Sequence, residues 1–416
     1  MIQKMGGKVS YINKTQTEQK VLSLDIGKKG LQRIPEEVFT SPTLNWLIVS
    51  NNRIRNIPSE IKHMTSLTRL ALNDNWIESV AEEMGEITNL TWVDLTRNRL
   101  RDLPDSLRNL KNVAGLGLSE NRFETIPECV FGMTSLCKFG FFSNKLQAIP
   151  PQISLLKNLT KIDLSNNDIV TVPKEICKLS RLVWLNLSNN KIKELPAEMG
   201  KLHLLQELGL GNNALKTLPD LGALKRLTIL PVYRNNLEEL GSWVSKLEKV
   251  EKLDFSNNKL KHIPASIFSL KKLRYLNVKN NLLQELDMQV HPCTTYPLEI
   301  IDISENRLRN IPYKLFTLFP ALATLRASGN PYEKEQIIVP QKCPTLNQLC
   351  NAYIMPGPGA WLQKECVFSK NGKVCDLCNK WFTYEPRILL KNQTSLDGRQ
   401  VIVKKVLCSS QCQLST

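Results

Sequence analysis

The chain has 416 residues, of which 42% are apolar, 23% charged and 6% aromatic, and its formal net charge is +16. This length exceeds what one compact core supports, so several domains or a repeat array are expected. The sequence has no run of about 18 apolar residues and no apolar N-terminal segment, so we predict neither a membrane span nor a signal peptide. Basic residues are interleaved with acidic ones, which favours a role of the charge in solubility or in binding an acidic protein partner over nucleic-acid binding.

The distribution of the eleven cysteines along the chain indicates the cellular compartment of the protein. None precedes Cys129, whereas seven fall in the last 74 residues, which is how a local metal site distributes its ligands. Secreted repeat proteins usually close their ends with disulfides instead. We therefore expect a reduced, cytoplasmic setting, with the nucleus as a second location.

Residues 1–20 form a polar N-terminal segment and cap. From residue 21 to residue 331 the sequence repeats with a period of 23 residues, shown most clearly by LTKIDLSNNDIVTVPKEICKLSR from Leu159 to Arg181. The unit is LxxLxLxxNxLxxLPxxIxxLxx. Fourteen units begin at Val21, Leu44, Leu67, Leu90, Val113, Leu136, Leu159, Leu182, Leu205, Leu227, Val250, Leu273, Leu298 and Leu322.

Each unit predicts a short strand followed by a return segment. The LxL stretch alternates apolar and polar residues, so one face packs inward and the other lines an exposed parallel sheet. The ninth residue is Asn in every unit but the first, which has Lys29, and its amide is suited to satisfying buried backbone groups. No unit buries its apolar face alone, so stability must come from stacking. The predicted class is α/β, with a concave sheet of about fourteen strands.

This array resembles the 23-residue intracellular leucine-rich repeats of the Ras-suppressor group over residues 21–331. The resemblance implies a horseshoe-shaped solenoid that binds proteins on its concave face without catalysis. The sequence also lacks recognisable catalytic motifs, because the four histidines are scattered and no nucleophile or phosphate-binding motif is present.

Exposed strand positions are the second, third, fifth, seventh and eighth of each unit, and several carry large rings or cations. Such residues are typical of interface hot spots. The alternative is that the rings form a stabilising stripe. The candidate binding residues on the concave face are Trp46, Arg69, Trp92, Arg97, Phe142, Trp184, Tyr233, Arg234 and Tyr275, with Lys138 and Lys161 beside them. An acidic ladder at the fifth position is interpreted as the ordinary Leu-Asp-Leu-Ser strand of this repeat.

Residues 332–343 are a linker, and 344–365 contain a predicted helix between Pro344 and the Pro-Gly run at 356–359. Its residues resemble the Elongin-binding box of cullin ubiquitin-ligase substrate receptors, [TSP]LxxxCxxx[AILV]. The matching residues are Thr345, Leu346, Cys350 and Ile354. The cullin-selecting segment that should follow is reduced to Met-Pro-Gly-Pro at 355–358. The alternative is a capping helix over the end of the array.

Residues 366–416 carry two close cysteine pairs, Cys375 with Cys378 and Cys408 with Cys412, separated by about thirty residues with a strand-like VIVKKVL. Four thiolates in this arrangement suit one tetrahedral structural zinc ion, while free thiols and disulfides are the alternatives. Cys366 is a further candidate ligand, but its distance of nine residues from Cys375 favours a buried thiol. The whole tail is similar to those of leucine-rich-repeat proteins in which a helical box precedes a CxxC and a CSxxC.

Together these features favour a substrate-recognition subunit of a cullin-type ubiquitin ligase, which holds its target on the repeats and docks Elongin subunits and a cullin through the tail. The first alternative is a signalling scaffold for a small GTPase or a protein phosphatase, with the tail as a cap. A weaker alternative uses the basic charge and the zinc for RNA or DNA, and it would require steep salt dependence of binding.

Overall fold

The computed structural model describes residues 8–12, 21–288, 296–312, 315, 318–332, 337–338, 373–374, 381–382, 387–394 and 400–407. The chain forms two compact units. The first comprises Met1–Leu237 with Lys246–Leu253, and the second Glu238–Ser245 with Asp254–Thr416.

All fourteen predicted repeats supply a strand, and within each unit the paired repeat strands are parallel and follow chain order. In repeats two to fourteen the strand covers the third to fifth residues of the unit. The strands are Val21–Asp25, Trp46–Ile48, Arg69–Ala71, Trp92–Asp94, Gly115–Gly117, Lys138–Gly140, Lys161–Asp163, Trp184–Asn186, Glu207–Gly209, Ile229–Pro231, Lys252–Asp254, Tyr275–Asn277, Ile300–Asp302 and Thr324–Arg326. The predicted period and strand phase are therefore confirmed.

Nine of the described return segments contain a short 3-10 turn, and that of the first repeat contains one α-helical turn, Glu36–Phe39. Each turn follows a proline or another residue in an extended conformation. This residue ends the extended segment that leaves the strand, and the turn begins directly after it. The 3-10 turns are Ser59–His63, Glu82–Glu86, Asp105–Asn109, Glu128–Gly132, Pro151–Leu155, Lys174–Lys178, Ala197–Lys201, Ser242–Lys246 and Ala265–Ser269. A small parallel pairing between Asn56–Ile57 and Ser79–Val80 accompanies the early repeats.

The core consists of the apolar positions of the repeat. In repeat seven the side chains of Leu159, Ile162, Leu164, Ile169 and Ile176 are completely buried. Burial of each such side chain contributes about 1.5–3 kcal/mol to the free energy of unfolding. Each repeat makes several of these contributions, and they depend on the neighbouring repeats that cover it.

Two features lie outside the predicted pattern. A strand at Lys8–Ile12 pairs antiparallel with Val21–Asp25, in the part of the chain predicted as a polar segment and cap. It satisfies backbone groups that the first repeat strand would otherwise expose at the sheet edge.

In the second unit an antiparallel hairpin joins Arg387–Thr394 to Gln400–Leu407, and the second of these strands contains the VIVKKVL segment. On the other edge of the hairpin strands, Arg387–Thr394 pairs with Ile337–Ile338, and Gln400–Leu407 pairs with Ile311–Pro312. A second hairpin pairs Lys373–Val374 with Trp381–Phe382.

Candidate binding surface

The third residues of successive repeats form one row across the outward side of the sheet, here called the third-position row. Within the first unit, strand register aligns one residue per repeat. The aligned residues are Ser23, Trp46, Arg69, Trp92, Gly115, Lys138, Lys161, Trp184, Glu207 and Ile229. Adjacent strands are about 4.8 Å apart, so the row from Trp46 to Trp184 spans about 29 Å. Six of these residues, four predicted binding residues and the two lysines named beside them, therefore lie in one row.

Trp46 and Arg69 are stacked at the start of this row. The guanidinium carbon of Arg69 lies 5.5 Å from the centre of the Trp46 ring, within cation–π range. Trp46 is half-buried, and its indole N–H is buried without an acceptor among the described residues. Arg69 is exposed, so its stacked guanidinium keeps N–H edges directed to solvent.

Trp92 is one of the most exposed large side chains of the described chain, at 36%. Its ring lies against the next strand, because a Cβ added at Gly115 would stand 2.6 Å from Trp92 Cδ1. Tyr233 uses the same device: a Cβ added at Gly211 would stand 2.4 Å from its ring. Glycine in the preceding or following repeat thus allows each ring to lie flat against the neighbouring backbone and present a face to solvent.

Phe142 and Trp184 are half-buried on the same side of the first unit. Lys138 and Lys161 are directly paired in register and both exposed. Like charges on directly opposed strand positions repel each other, and an anionic group bound over the two lysines would remove this repulsion.

Arg97 and Arg234 stand at the eighth position, where the backbone is left-handed with φ of 56° and 52°. Arg97 bridges three repeats, with ion pairs to Glu120 at 2.9 Å and Asp74 at 3.4 Å. The hydrogen bonds to Glu120 and Asp74 raise the pKa of Arg97 above its ordinary value. Arg97 is therefore already neutralised locally, whereas Arg234 is exposed.

Tyr275 belongs to the second unit, and its strand pairs with Ile300–Asp302. It is half-buried, and burial raises the pKa of its hydroxyl, with the Asp254 carboxylate acting in the same direction. Tyr275 is therefore neutral at physiological pH and presents a ring with a polar edge.

The fifth-position aspartates have a structural role. Asp163 Oδ1 accepts a hydrogen bond from the Ser165 N–H at 3.0 Å and from the Ser165 hydroxyl at 2.6 Å. Asp254 does the same with Ser256 at 2.9 Å and 2.6 Å. These carboxylates terminate their own strands, in agreement with their interpretation as the ordinary strand of this repeat.

Two cysteines of the described chain, Cys129 and Cys177, have buried thiols. Burial raises the pKa of the Cys129 thiol to about 12 and that of Cys177 to about 11. Both thiols stay protonated near neutral pH, and a protonated thiol is a poor nucleophile.

Sequence reasoning missed Trp76, which is 37% exposed. It occupies the tenth position, beyond the strand positions that were enumerated as exposed. The guanidinium carbons of Arg53 and Arg99 lie 5.8 Å and 4.9 Å from its ring centre. The available signal was a large ring at a position that holds a small, polar or charged side chain in most other repeats, with Leu282 in repeat twelve as an exception.

The predicted tail sites lie outside the described residues. These are the metal ligands Cys375, Cys378, Cys408 and Cys412, the further candidate Cys366, and the helix residues Thr345, Leu346, Cys350 and Ile354. Among the residues that the structure describes, no cluster of His, Cys, Asp and Glu side chains is arranged to hold a metal ion.

Comparison with known families supplies the assignment of the repeats. The family described as a leucine-rich repeat region matches residues 138–350, just over half of the chain, and the single leucine-rich repeat matches residues 89–110. The chain belongs to the leucine-rich-repeat proteins. Its fold is the leucine-rich-repeat solenoid, and this fold serves protein–protein interaction. No curated protein matches the chain in sequence.

Solved structures agree with this family. A leucine-rich-repeat protein of Leptospira interrogans is 27% identical, with a TM-score of 0.63 over 74% of this chain and 90% of that one. An internalin of Listeria monocytogenes, at 22% identity, has a TM-score of 0.64 over 75% and 91% of the two chains. The plant peptide hormone receptor RGFR1 in complex with RGF2 is 26% identical, with a TM-score of 0.51 over 71% and 57%. No described helix of the chain is long and apolar enough to cross a membrane.

Proposed function

We propose that this leucine-rich-repeat protein is the substrate-recognition subunit of a cullin-type ubiquitin ligase and holds its target on the outward side of the sheet. The observation that carries the target-binding part is the third-position row. It displays Trp46, Arg69, Trp92 and Trp184 in register, with a stacked cation and a ring laid flat on glycine. Aromatic and arginine side chains provide most of the binding free energy in protein interfaces.

The structural neighbours support a protein or peptide ligand. RGFR1 was captured with RGF2 and is named as a peptide hormone receptor. An extended segment advances about 3.3 Å per residue, so the row from Trp46 to Trp184 matches roughly nine residues of a bound chain. A target segment of that length fits the row without any rearrangement of the sheet.

The ligase part of the proposal rests on sequence. The segment from Thr345 to Ile354 matches every defined position of the Elongin-binding box, with Leu346 and Cys350 as its anchors. A helix of this type places an apolar side chain in a partner groove and a small one against the groove rim. Elongin subunits and a cullin are the partners that this segment implies.

The zinc ion proposed for the tail is structural. The Cys375–Cys378 pair occupies the connection between Val374 and Trp381, which are paired in the short hairpin. Cys408 directly follows Leu407, at the end of the long hairpin where Leu407 pairs with Arg387. Two close cysteine pairs in sequence are typical of closed four-thiolate zinc sites. We further propose a cytoplasmic and nuclear location, where thiolates stay reduced.

The deciding experiment is co-precipitation of Elongin subunits and a cullin with the full chain. Leu346→Ala is expected to weaken capture by roughly ten- to a hundredfold, because burying a Leu contributes about 1.5–3 kcal/mol. Cys350→Asp should weaken it further, because a charge buried without a counter-charge is costly. Ile354→Val serves as a conservative control.

Thermal melts of the same proteins separate the alternatives. Loss of the ligase subunits at unchanged stability supports the receptor. Absence of ligase subunits with the wild-type chain, together with a destabilised Leu346→Ala/Cys350→Asp variant, reduces the helix to a cap. That result leaves a signalling scaffold for a small GTPase or a phosphatase as the function.

A further inference from the structure

The tenth residues of repeats two to six form a second row, here called the tenth-position row, which consists of Arg53, Trp76, Arg99, Arg122 and Lys145. Backbone hydrogen bonds fix its register. Each residue donates its N–H to the eleventh-position carbonyl of the preceding repeat, as in Arg99 to Ile77 at 2.8 Å and Arg122 to Leu100 at 2.8 Å. The row therefore presents one side chain per repeat, alongside the strand surface and distinct from it.

The tenth-position row begins with a stacked unit of one ring and two cations. Trp76 lies between the guanidinium groups of Arg53 and Arg99, at 5.8 Å and 4.9 Å. Stacking fixes the planes of both guanidinium groups and leaves their N–H edges for planar acceptors. Such edges bind carboxylates in a bidentate manner.

The charges of this row are mostly uncompensated. Arg99 has one ion pair, to Glu78 at 3.5 Å. Over the described residues, no carboxylate forms an ion pair with Arg53, Arg122 or Lys145. The neighbouring eighth position neutralises itself, because Arg97 is paired with both Asp74 and Glu120.

Repeats seven and eight provide an internal comparison at the same position. There the row continues with Asp168 and Lys191, which form an ion pair of 2.7 Å with each other. The fold thus accommodates an ion pair between tenth-position residues of adjacent repeats. Repeats two to six have no acidic residue at this position with which to form one. Like charges in adjacent repeats repel, and an anionic partner removes that repulsion.

We infer that the tenth-position row is a second interaction surface and binds an acidic polypeptide segment rich in Asp and Glu. Side-chain carboxylates match the guanidinium edges one by one. The carboxylates Asp74, Glu78, Glu120 and Glu124 border the row on both sides. An acidic peptide can place its carboxylates between them, whereas the closely and regularly spaced phosphates of a nucleic acid cannot avoid them. This surface goes beyond the target-binding row and does not depend on the ligase assignment.

The test uses fluorescence anisotropy of a fluorescein-labelled twelve-residue glutamate peptide with the full chain. Glutamine dodecamer is the neutral control, and a twelve-residue oligothymidylate is the nucleic-acid competitor. Binding should weaken with salt. The combined variant Arg53→Gln/Arg99→Gln/Arg122→Gln/Lys145→Gln should bind the glutamate peptide at least about tenfold more weakly.

Matched controls locate the effect. Asp168→Asn/Lys191→Gln changes the tenth-position row where its two charges are paired with each other. Trp92→Ser/Trp184→Ser changes the third-position row. Both variants should bind the glutamate peptide within about twofold of the wild-type chain. If the combined variant does not fold, Arg122→Gln and Lys145→Gln, both exposed, should each weaken binding about two- to fivefold. Unchanged binding in the charge variants overturns the inference. Tighter binding of the oligothymidylate than of the glutamate peptide also overturns it and assigns the row to nucleic acid.

Discussion

The ninth-position asparagine connects two successive repeats of the chain. In repeat seven, Asn167 Oδ1 accepts from the Leu146 N–H at 3.0 Å, while Nδ2 donates to the carbonyls of Phe141 at 3.0 Å and Leu164 at 3.1 Å. The same set recurs at Asn75 and Asn98. These bonds satisfy backbone groups where the chain turns away from the sheet.

Replacing Asn167 by Ala removes these bonds and leaves buried backbone groups without partners. The free energy of unfolding should fall by about 3 kcal/mol, measured by urea denaturation. The control Asn158→Ala, whose hydrogen bond to the Thr134 carbonyl is exposed, should cost less than about 1 kcal/mol. Equal losses in the two variants would show that the buried amide has no special role.

The eighth position is left-handed in every repeat, with φ between 52° and 58° at the non-glycine residues. Six repeats use Asn there, which tolerates this conformation, whereas Ser143 has φ of 54° without that tolerance. Ser143→Gly should therefore stabilise the fold by about 0.5–1 kcal/mol. Ser154→Gly, at a 3-10 turn with ordinary φ, should destabilise it, and a melting temperature that falls in both variants contradicts this explanation.

The arrangement of Trp92 depends on its neighbour strand rather than on Trp92 alone. Because a Cβ at Gly115 would stand 2.6 Å from the indole, Gly115→Val must displace the ring. We expect weaker target binding, a changed tryptophan emission and a melting temperature within a few degrees of wild type. Gly30→Ala, at a left-handed glycine with open space, is a control for backbone strain without ring displacement. An unchanged spectrum in Gly115→Val would contradict the flat placement of Trp92.

The tail is an element whose metal content is directly measurable. The purified full chain should contain one zinc ion, and Cys375→Ser/Cys378→Ser should contain none, because closed structural sites need all four thiolates. The buried thiols Cys129→Ser and Cys177→Ser serve as controls that keep the metal. A metal-free wild-type chain with four freely alkylated tail thiols would reject the zinc proposal.

The repeat elements were predictable because a 23-residue period fixes both the strand phase and the outward positions. Residues one period apart, such as Trp46 and Arg69, had to become strand neighbours. The ion pairs of Arg97 and the stack on Trp76 were not predictable to the same degree, because they depend on side-chain directions at the edge of the sheet. The antiparallel strand Lys8–Ile12 was missed because it lies outside the periodic pattern.

At the scale of the whole molecule, the first unit separates two kinds of surface. The third-position row offers rings and cations on the sheet, and the tenth-position row offers cations around one exposed ring. A repeat array allows this because each position along the unit generates its own line of side chains while stacking supplies the stability. Surface residues can therefore be specialised by row without disturbing the apolar positions.

The most direct measurement of the central claim is target capture by the full chain and by Trp92→Ser/Trp184→Ser/Phe142→Ser, with thermal melts of both. Affinity purification with quantitative mass spectrometry supplies the readout. Leu155→Ser/Val170→Ser removes exposed apolar side chains outside the strands and is the matched control. The account predicts that the triple variant loses the partners that the wild-type chain and the control retain, at nearly unchanged melting temperature. Retention of those partners by the triple variant, or a melting temperature lowered by tens of degrees, would contradict it.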